Sequence, residues 1–288
     1  MNRTVSKLLR LLPDKQYVQL QYLSNHHRLP NLKNPQTLNE KVMWLKLYDH
    51  KPVYTTMVDK YAAKAYISER VGSEYIVPTL GVWNNVEDIN FESLPQQFVL
   101  KWNHDSGGVV ICKDKSTFDI ESAKIRLDKR KNNNGFWYGR EWPYKNVPHK
   151  ILAEAYLGEN LQDYRIYCYN GEPKYIYSYT NESFADGSKP EPAYCDIYDC
   201  DWKPMAFRQK SPPRGNVERP SGLNVMLDIA RKLSVDSPFL RVDFYQIGEQ
   251  VYVGELTFFP GSGLTKFIPA EWDEILGSWL ELPKDKIV

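Results

Sequence analysis

The sequence has few cysteines, no long apolar run and almost no net charge. Its four cysteines form no Cys-x-x-Cys pair, and its histidines are not spaced to complete a zinc site. No run of about 18 apolar residues is present, which argues against a transmembrane helix. The net charge of +1 lacks the basic excess that is typical of nucleic-acid-binding proteins. We therefore expect a globular protein that binds no nucleic acid and resides in the cytoplasm.

The N-terminal segment from Met1 to Pro13 carries basic side chains among four leucines. Its apolar run is too short and too interrupted for a signal peptide, and no small-residue cleavage site follows it. One interpretation is an amphipathic helix that contacts a partner or, peripherally, a membrane surface. The interpretation that we favour is a helix that docks on the protein itself.

At 288 residues, the chain is long enough to bury a core and to form one or two domains. Its first 95 residues are predicted to be mostly helical. Thr37 and Glu40 have the spacing of a capping box, which predicts that a helix begins there and continues through Tyr48. A second helix is predicted from Asp59 to Arg70.

Residues 239–257 alternate in two apolar runs around a polar turn, which predicts an antiparallel hairpin. Folding it symmetrically about Glu249 places Asp243 opposite Glu255. Opposed side chains have Cβ atoms about 5 Å apart, so two carboxylates there repel each other and attract a cation. Oxygen ligands suit Mg²⁺ or Mn²⁺, and Mg²⁺ held by one or two carboxylates usually carries substrate phosphates as well.

The alternative is an ordinary hairpin whose carboxylates point into water. Two neighbouring features favour a metal–nucleotide site instead. Arg241 lies on the same strand face as Asp243, and a Pro-Gly-Ser-Gly loop at 260–263 follows the second strand.

A second polar stretch follows a predicted strand that ends at Lys101. Residues 103–108 then form a loop with two glycines, and another strand runs to Cys112. Backbone N–H groups in such a loop can cradle phosphate oxygens, and a lysine at the strand end adds positive charge. A plain hairpin with a Gly-Gly turn is the alternative interpretation.

The stretches Arg241-Val-Asp-Phe244 and Gly254-Glu-Leu-Thr-Phe-Phe-Pro-Gly-Ser-Gly263 resemble the metal-binding hairpin of ATP-grasp enzymes, notably D-alanine–D-alanine ligases. From about Pro35 to Leu282, the chain resembles more closely the TupA-like ATP-grasp proteins of bacterial polysaccharide gene clusters. This resemblance implies an α+β ATP-grasp fold. It also implies a helical N-terminal region (1–95), a small lobe with a glycine loop (96–150) and a large lobe with the metal-binding hairpin (151–288).

The same resemblance implies roles for the charged residues. Asp243 and Glu255 would hold the metal, and Thr257 stands where the family usually has an asparagine, whose amide oxygen is a better ligand. Lys60, or else Lys64, would reach the nucleotide phosphates. The catalytic residues would be Arg241, which stabilises the tetrahedral intermediate, and Lys101, which binds the α-phosphate.

The remaining implied residues bind ATP. The glycine loop would close over the nucleotide. Alternatively, His104 and Asp105 of this loop would help to recognise the acceptor. Glu154 would face the adenine amino group, and Arg165 is placed to pair with Asp163 instead of phosphate. The implied nucleotide-binding residues outside the lysines are His104, Ser106, Gly107, Gly108, Glu154, Tyr156, Leu157 and Asp163.

The resemblance also implies the reaction. A carboxylate attacks the γ-phosphate of ATP, and an amine then displaces phosphate from the acyl phosphate, which gives ADP and an amide. We predict that an amino acid is joined to a uronic acid in surface polysaccharide (capsule or O-antigen) biosynthesis. Arg208 and Arg214, in the basic loop 181–220, are guesses for contacts to the γ-phosphate or an acidic acceptor.

Two other functions stay open. One is a glycosyltransferase that uses a nucleotide sugar, but such metal-dependent enzymes usually carry an Asp-x-Asp motif, and the hairpin with Asp243 has none. The other is an inactive, ATP-binding regulatory protein, which the threonine at 257 would permit.

Overall fold

The computed structural model describes residues 10–159, 161–181 and 194–288. Most of the N-terminal segment for which an amphipathic helix is predicted, residues 1–9, lies outside these ranges, as does part of the basic loop, residues 182–193. The α-helices within the described ranges are α1 (Asp14–His26), α2 (Leu38–Tyr48), α3 (Val53–Val58), α4 (Ala62–Val71), α5 (Ile120–Asp128), α6 (Gly135–Gly139), α7 (Leu223–Ser234) and α8 (Trp272–Ser278). None of these helices is long and apolar enough to cross a bilayer.

Nine strands of the described chain form two antiparallel sheets. The smaller sheet has the order β1–β4–β2–β3, and the larger sheet has the order β7–β6–β5–β8–β9. The strands are β1 (Thr79–Trp83), β2 (Phe98–Trp102), β3 (Val110–Cys112), β4 (Ile151–Ala155), β5 (Leu161–Tyr169), β6 (Glu172–Asn181), β7 (Cys195–Asp199), β8 (Phe239–Ile247) and β9 (Gln250–Thr257).

The smaller sheet takes β1 from the predicted N-terminal region and β4 from the predicted large lobe. The edges of the sheets therefore do not coincide with the predicted boundaries at residues 95 and 150. The division into lobes stays a prediction.

One face of the larger sheet is apolar and covered by α7. The helix buries a stripe that repeats every three or four residues, and it packs against β5, β6 and β8. Cys168 on β5 faces it, with its Sγ 3.8 Å from the carbonyl oxygen of Ala230. Because side chains alternate along a strand, the neighbouring Tyr167 lies on the opposite face, which also carries Arg241 and Asp243 of the hairpin.

The predicted capping box at the start of α2 is confirmed. Thr37 Oγ1 accepts the N–H of Glu40 at 3.2 Å, and Glu40 Oε2 accepts the N–H of Thr37 at 3.3 Å. The carboxylate of Glu40 also accepts from Arg28 Nη1 at 2.5 Å, and from the backbone N–H groups of Asn31 and Gln36 at 3.1 Å each. One buried carboxylate thus fixes both the helix start and the chain before it.

The charge of Glu40 is expected to stabilise the fold above acidic pH. Burial alone raises the pKa of Glu40, but the hydrogen bonds from Arg28 and the backbone outweigh it and hold the pKa below the ordinary 4.5. Because the native pKa is the lower one, this stabilisation is present above pH 4.5 and is lost as the pH falls through the native pKa. We expect Glu40→Gln to lower the free energy of unfolding at pH 7 by about 1–3 kcal/mol.

Urea unfolding at pH 7 and at pH 4 checks this expectation. The exposed Glu69 on α4 provides the control variant, Glu69→Gln. The loss caused by Glu40→Gln should shrink at the lower pH. An equal loss at both pH values would mean that the charge of Glu40 contributes nothing.

Candidate functional site

The predicted hairpin is formed by β8 and β9. Asp243 lies directly opposite Glu255, as predicted, and Arg241 lies opposite Thr257. Beyond Glu255, the register shifts by one residue, which makes a β-bulge at Gly254. A Cβ at Gly254 would lie 2.7 Å from the ring of Tyr245, so the close packing there requires glycine.

Arg241 and Asp243 form a buried, two-pronged ion pair. Arg241 Nε and Nη2 donate to Asp243 Oδ1 and Oδ2, both at 2.6 Å. Arg165 on β5 lies opposite Asp243 on its other side, with Nε 3.9 Å from Oδ2. Burial raises the pKa of Asp243 above its ordinary value, and the two arginines offset only part of that effect.

Glu255 is paired with Lys60, which lies just before α4. Lys60 Nζ is 3.2 Å from Glu255 Oε1 and donates to the carbonyl oxygen of Asp105 at 3.0 Å. Although burial raises the pKa of Glu255, the positive charges of Lys60 and Arg241 outweigh it and lower the pKa below its ordinary value. Lys60 thus connects the hairpin to the loop that follows β2.

Glu154 on β4 is held between two lysines. Lys64 Nζ is 2.7 Å from its Oε1, and Lys101 Nζ is 2.5 Å from its Oε2. Burial raises the pKa of Glu154, but the two lysines outweigh it and lower the pKa below its ordinary value. Both oxygens of the residue that was expected to face adenine are therefore engaged by lysines in this structure.

Four of these charged groups border one cleft between the two sheets. Lys60, Lys64, Glu154 and Glu255 line it, together with the bulge residue Gly254. Its other walls are apolar and come from α3, α4, β9 and the segment before β1, with Met57, Val58, Ala63, Ile67, Ile76, Val77, Val253 and Leu256. An apolar slot with a strongly charged end has the polarity that suits a ligand with a flat ring at one end and phosphates at the other, and its cavity volume in this structure is only about 20 Å³.

The loop between β2 and β3 packs against a cation that the sequence analysis missed. Arg130 Nη2 lies 2.9 Å from Asp105 Oδ1, and its Nε also bonds the Asp105 carboxylate. A Cβ at Gly107 would lie 2.6 Å from Arg130 Nη2, and Gly108 has a φ of +68°. The only signal for Arg130 in the sequence is its place in a basic triplet after α5.

The other polar residues of this loop hold it in place. Asn103 Nδ2 donates to Asp59 Oδ1 and to the carbonyl oxygen of Pro148, both at 2.8 Å. His104 stacks on His149 with ring centroids 3.6 Å apart, and burial is the main cause that lowers its pKa to about 4. His104 is therefore neutral at pH 7. Ser106, in contrast, is exposed.

Asp163 pairs with Arg165, as the alternation along the strand predicted. Arg165 Nε and Nη2 donate to Asp163 Oδ2 at 2.9 and 2.6 Å. Asp163 is not among the described residues that line the cleft, so its ribose-binding role stays a prediction. Tyr156 and Leu157, predicted to offer backbone contacts to adenine, directly follow the last residue of β4 and are half-buried.

The oxygen atoms at the hairpin fit a hard divalent cation. Asp243 and Glu255 supply carboxylates, and the buried Thr257 Oγ1 has no hydrogen-bond partner in the described chain. No cluster of three or more Asp, Glu, His or Cys side chains that could hold a metal exists among the described residues. The protein would thus provide few ligands and leave the others to phosphate and water, which is how Mg²⁺ is usually held.

The chain does contain one Asp-x-Asp, at Asp199-Cys200-Asp201, so the absence of this motif from the hairpin alone is not an argument against a glycosyltransferase. The structure shows what these residues do. Asp199 Oδ1 accepts the backbone N–H groups of Asp201 and Lys203 at 2.9 and 2.8 Å, and the exposed Asp201 pairs with Lys203. The motif forms a turn after β7, and neither aspartate lines the cleft described above.

Arg208 and Arg214 are held by backbone contacts. The backbone N–H and C=O of Arg208 pair with those of Ile268, and the N–H of Arg214 donates to Asp196 Oδ2 at 3.1 Å. Neither arginine lines the cleft. Their predicted ligand contacts remain predictions.

Comparison with known proteins places this chain in a family. A family model described as TupA-like ATP-grasp matches residues 40–281. No curated protein gives a significant match. Similar solved structures include the D-alanine–D-alanine ligase of Bacillus anthracis complexed with ATP, with 16% identity, a TM-score of 0.42 and coverage of 70% of this chain and 54% of that one.

A second structure of the Bacillus anthracis ligase has 20% identity and a TM-score of 0.43, with coverage of 77% of this chain and 62% of that one. The ATP-grasp ligase PsnB, complexed with a minimal precursor, has 11% identity and a TM-score of 0.42, with coverage of 73% and 55%. The chain therefore spans less than two thirds of the length of these structures. The family match covers most of the chain and confirms the predicted α+β ATP-grasp fold. The chain belongs to the TupA-like ATP-grasp family.

Proposed function

We propose that the protein is an ATP-dependent carboxylate–amine ligase that works through an acyl phosphate and releases ADP. The observation that carries this proposal is the Asp243–Glu255 pair of the hairpin, in which Arg241 bonds Asp243, and Lys60 bonds Glu255 where Glu255 lines the cleft. Two opposed carboxylates with cations on both sides suit the transfer of a phosphoryl group, whose charge must be neutralised.

The cleft would bind ATP with its adenine in the apolar part and its phosphates towards Lys60 and Lys101. Asp243 and Glu255 would hold Mg²⁺, or Mn²⁺, with Thr257 as the third protein oxygen. A bound divalent cation supplies charge neutralisation on the transferring phosphoryl group. Arg241, fixed by its two hydrogen bonds to Asp243, would stabilise negative charge on the carbonyl oxygen when the amine attacks.

For substrates, we infer an amino acid and a uronic acid of a bacterial surface polysaccharide, in the cytoplasm. The resemblance of the chain to TupA-like proteins of bacterial polysaccharide gene clusters supports this choice. Purified protein with Mg-ATP and pairs of uronates and amino acids should produce ADP. Production of AMP, or no ADP with any pair, would contradict the ligase, and binding of a nucleotide sugar in place of ADP would favour a glycosyltransferase.

The first test is calorimetric titration of Mg-ADP into the wild type and Asp243→Asn. The asparagine keeps the shape of the side chain but removes the charge that would face the metal. We expect at least tenfold weaker binding, which corresponds to a loss of about 1.4 kcal/mol.

Asp228→Asn is the matched control, because Asp228 is exposed on α7 and forms an ion pair with Lys232 of the same helix. It should bind Mg-ADP like the wild type. If Asp243→Asn binds Mg-ADP as tightly as the control does, Asp243 is not part of the nucleotide site.

A further inference from the structure

A second cavity, of about 130 Å³, lies on the charged face of the larger sheet. Its wall is formed by side chains of β5, β6 and β8, by the start of α2 and by the turn at 260–263. The polar residues of this wall are Asn39, Arg165, Tyr167, Tyr175, Tyr179, Gln209, Arg241 and Thr265. Since about 10–15 Å³ of such space is enough for one water molecule, this cavity holds a carboxylate with several attached atoms.

The two arginines are preorganised, and each has donors to spare. Arg165 uses Nε and Nη2 on Asp163, and Arg241 uses the same two atoms on Asp243. Within the described chain, Nη1 of neither arginine has a hydrogen-bond partner. Their side chains are only 21% and 14% exposed. A largely buried guanidinium with free N–H groups is a selective ligand for carboxylate.

The rest of the wall also favours an anion. No Asp or Glu is among the residues that line this cavity in the described structure. Burial raises the pKa of Tyr167 to about 12 and raises the pKa of Tyr175 and Tyr179 above their ordinary value, so these hydroxyls keep their protons at neutral pH. The guanidinium of Arg165 lies over the ring of Tyr179, 4.3 Å from its centroid, which limits its orientation.

This cavity and the cleft are both next to the carboxylate pair. Arg241 lines the cavity and bonds Asp243, and Glu255, which is opposite Asp243, lines the cleft with Lys60. We propose that the cavity binds the carboxylate end of the acceptor, with Arg165 as the residue that selects an acid over its neutral analogue. This inference rests on the proposed ligase function, because a ligase needs an acid beside its phosphate site.

The test uses simple acids, because the acceptor is unidentified. D-glucuronate, L-glutamate and acetate are titrated calorimetrically into the protein in the presence of Mg-ADP, with D-glucose, L-glutamine and acetamide as neutral analogues. We expect at least one acid to bind and its neutral analogue to bind at least tenfold more weakly. Failure of all three acids, or equal binding of acid and analogue, would overturn the inference.

Two variants locate the site. Arg165→Met should weaken binding of the acid at least tenfold. The melting temperature of this variant shows whether it folds. Gln209→Glu leaves the Arg165–Asp163 pair intact. It places a negative charge on the cavity wall, where Gln209 is half-buried, and should weaken binding of the acid to a similar degree. Arg231→Gln is the control, because Arg231 lies on α7 and forms an exposed pair with Glu172.

The outcomes separate this inference from the ligase proposal. Binding of Mg-ADP with acid binding that both variants leave unchanged would overturn the cavity assignment alone. If the wild type does not bind Mg-ADP, the ligase proposal is overturned. In that case, the same acid titrations without nucleotide decide whether the cavity binds carboxylates.

Discussion

Glu154→Ala is expected to lower the free energy of unfolding by about 3–5 kcal/mol, because removal of one partner from a buried ion cluster leaves the others unpaired. Glu154 is 7% exposed, and its two oxygens neutralise the ammonium groups of Lys64 and Lys101. Without the carboxylate, these two positive charges would repel each other. Among the described residues, Lys64 would keep only its bond to the carbonyl oxygen of Val77.

Urea unfolding at pH 7 measures this loss. Glu159→Ala is the matched control, because Glu159 follows the same strand but is exposed and pairs with Lys113 at the surface. It should leave the free energy of unfolding nearly unchanged.

A triple variant separates charge from packing. Glu154→Ala combined with Lys64→Met and Lys101→Met removes all three charges, and replacement of a whole buried ion cluster by apolar residues is often neutral. It should recover much of the stability that Glu154→Ala loses. If Glu154→Ala is as stable as the control, the cluster does not stabilise the fold.

The hairpin could be predicted from sequence because its determinants are local. Alternation of apolar residues set the two strands, and the two-residue turn at Gly248-Glu249 set the register that opposes Asp243 and Glu255. The capping box of Thr37 and Glu40 is local in the same way. Such features need only a few neighbouring residues, so the pattern contains most of the information.

The partners of the lysines could not be predicted in this way. Lys64 lies on a helix, Lys101 on β2 and Glu154 on β4, and their side chains meet only in the folded chain. Before folding, any of these charges has many possible partners. The resemblance to ATP-grasp proteins selected the residues, but it did not predict that Glu154 pairs with both lysines.

The acceptor cavity was beyond sequence analysis for a related reason. Its wall combines β5, β6, β8, α2 and the 260–263 turn, which are far apart in the chain. Alternation did predict that Arg165 shares a strand face with Asp163. It gave no indication that Arg165 and Arg241 line one space, since that depends on the pairing of β5 with β8.

Lys46 was also missed, although it is one of the most buried charges of the protein. It lies on α2, is 2% exposed, and donates to three oxygens at 2.7 Å each: the carbonyl of Gly139, the carbonyl of Ser262 and Ser262 Oγ. Ser262 has a φ of +56°, an unfavourable backbone conformation outside glycine. Two of these three hydrogen bonds therefore hold the turn whose residues Pro260 and Gly261 line the acceptor cavity, and the third ties that turn to Gly139.

Lys46→Met is expected to lower the free energy of unfolding by roughly 3 kcal/mol, because each buried acceptor left without a donor costs about 1–3 kcal/mol and the cost of burying the charge is regained. Lys41→Met on the same helix is the comparison. Lys41 donates to the carbonyls of Gly277 and Leu280 from a less buried position, so its loss should be nearer 1 kcal/mol. Equal losses at the two positions would contradict the special role of Lys46.

The pH dependence identifies the group responsible. Burial lowers the pKa of Lys46 from the ordinary 10.5 to about 8. Between these values the unfolded chain binds more protons than the native one, so the stability of the wild type rises with pH in this window. Other titrating groups are common to both proteins and cancel in the comparison. The difference in free energy of unfolding between the wild type and Lys46→Met should therefore grow from pH 8 to pH 10, and a difference that stays constant would show that the ammonium group is not destabilised by its burial.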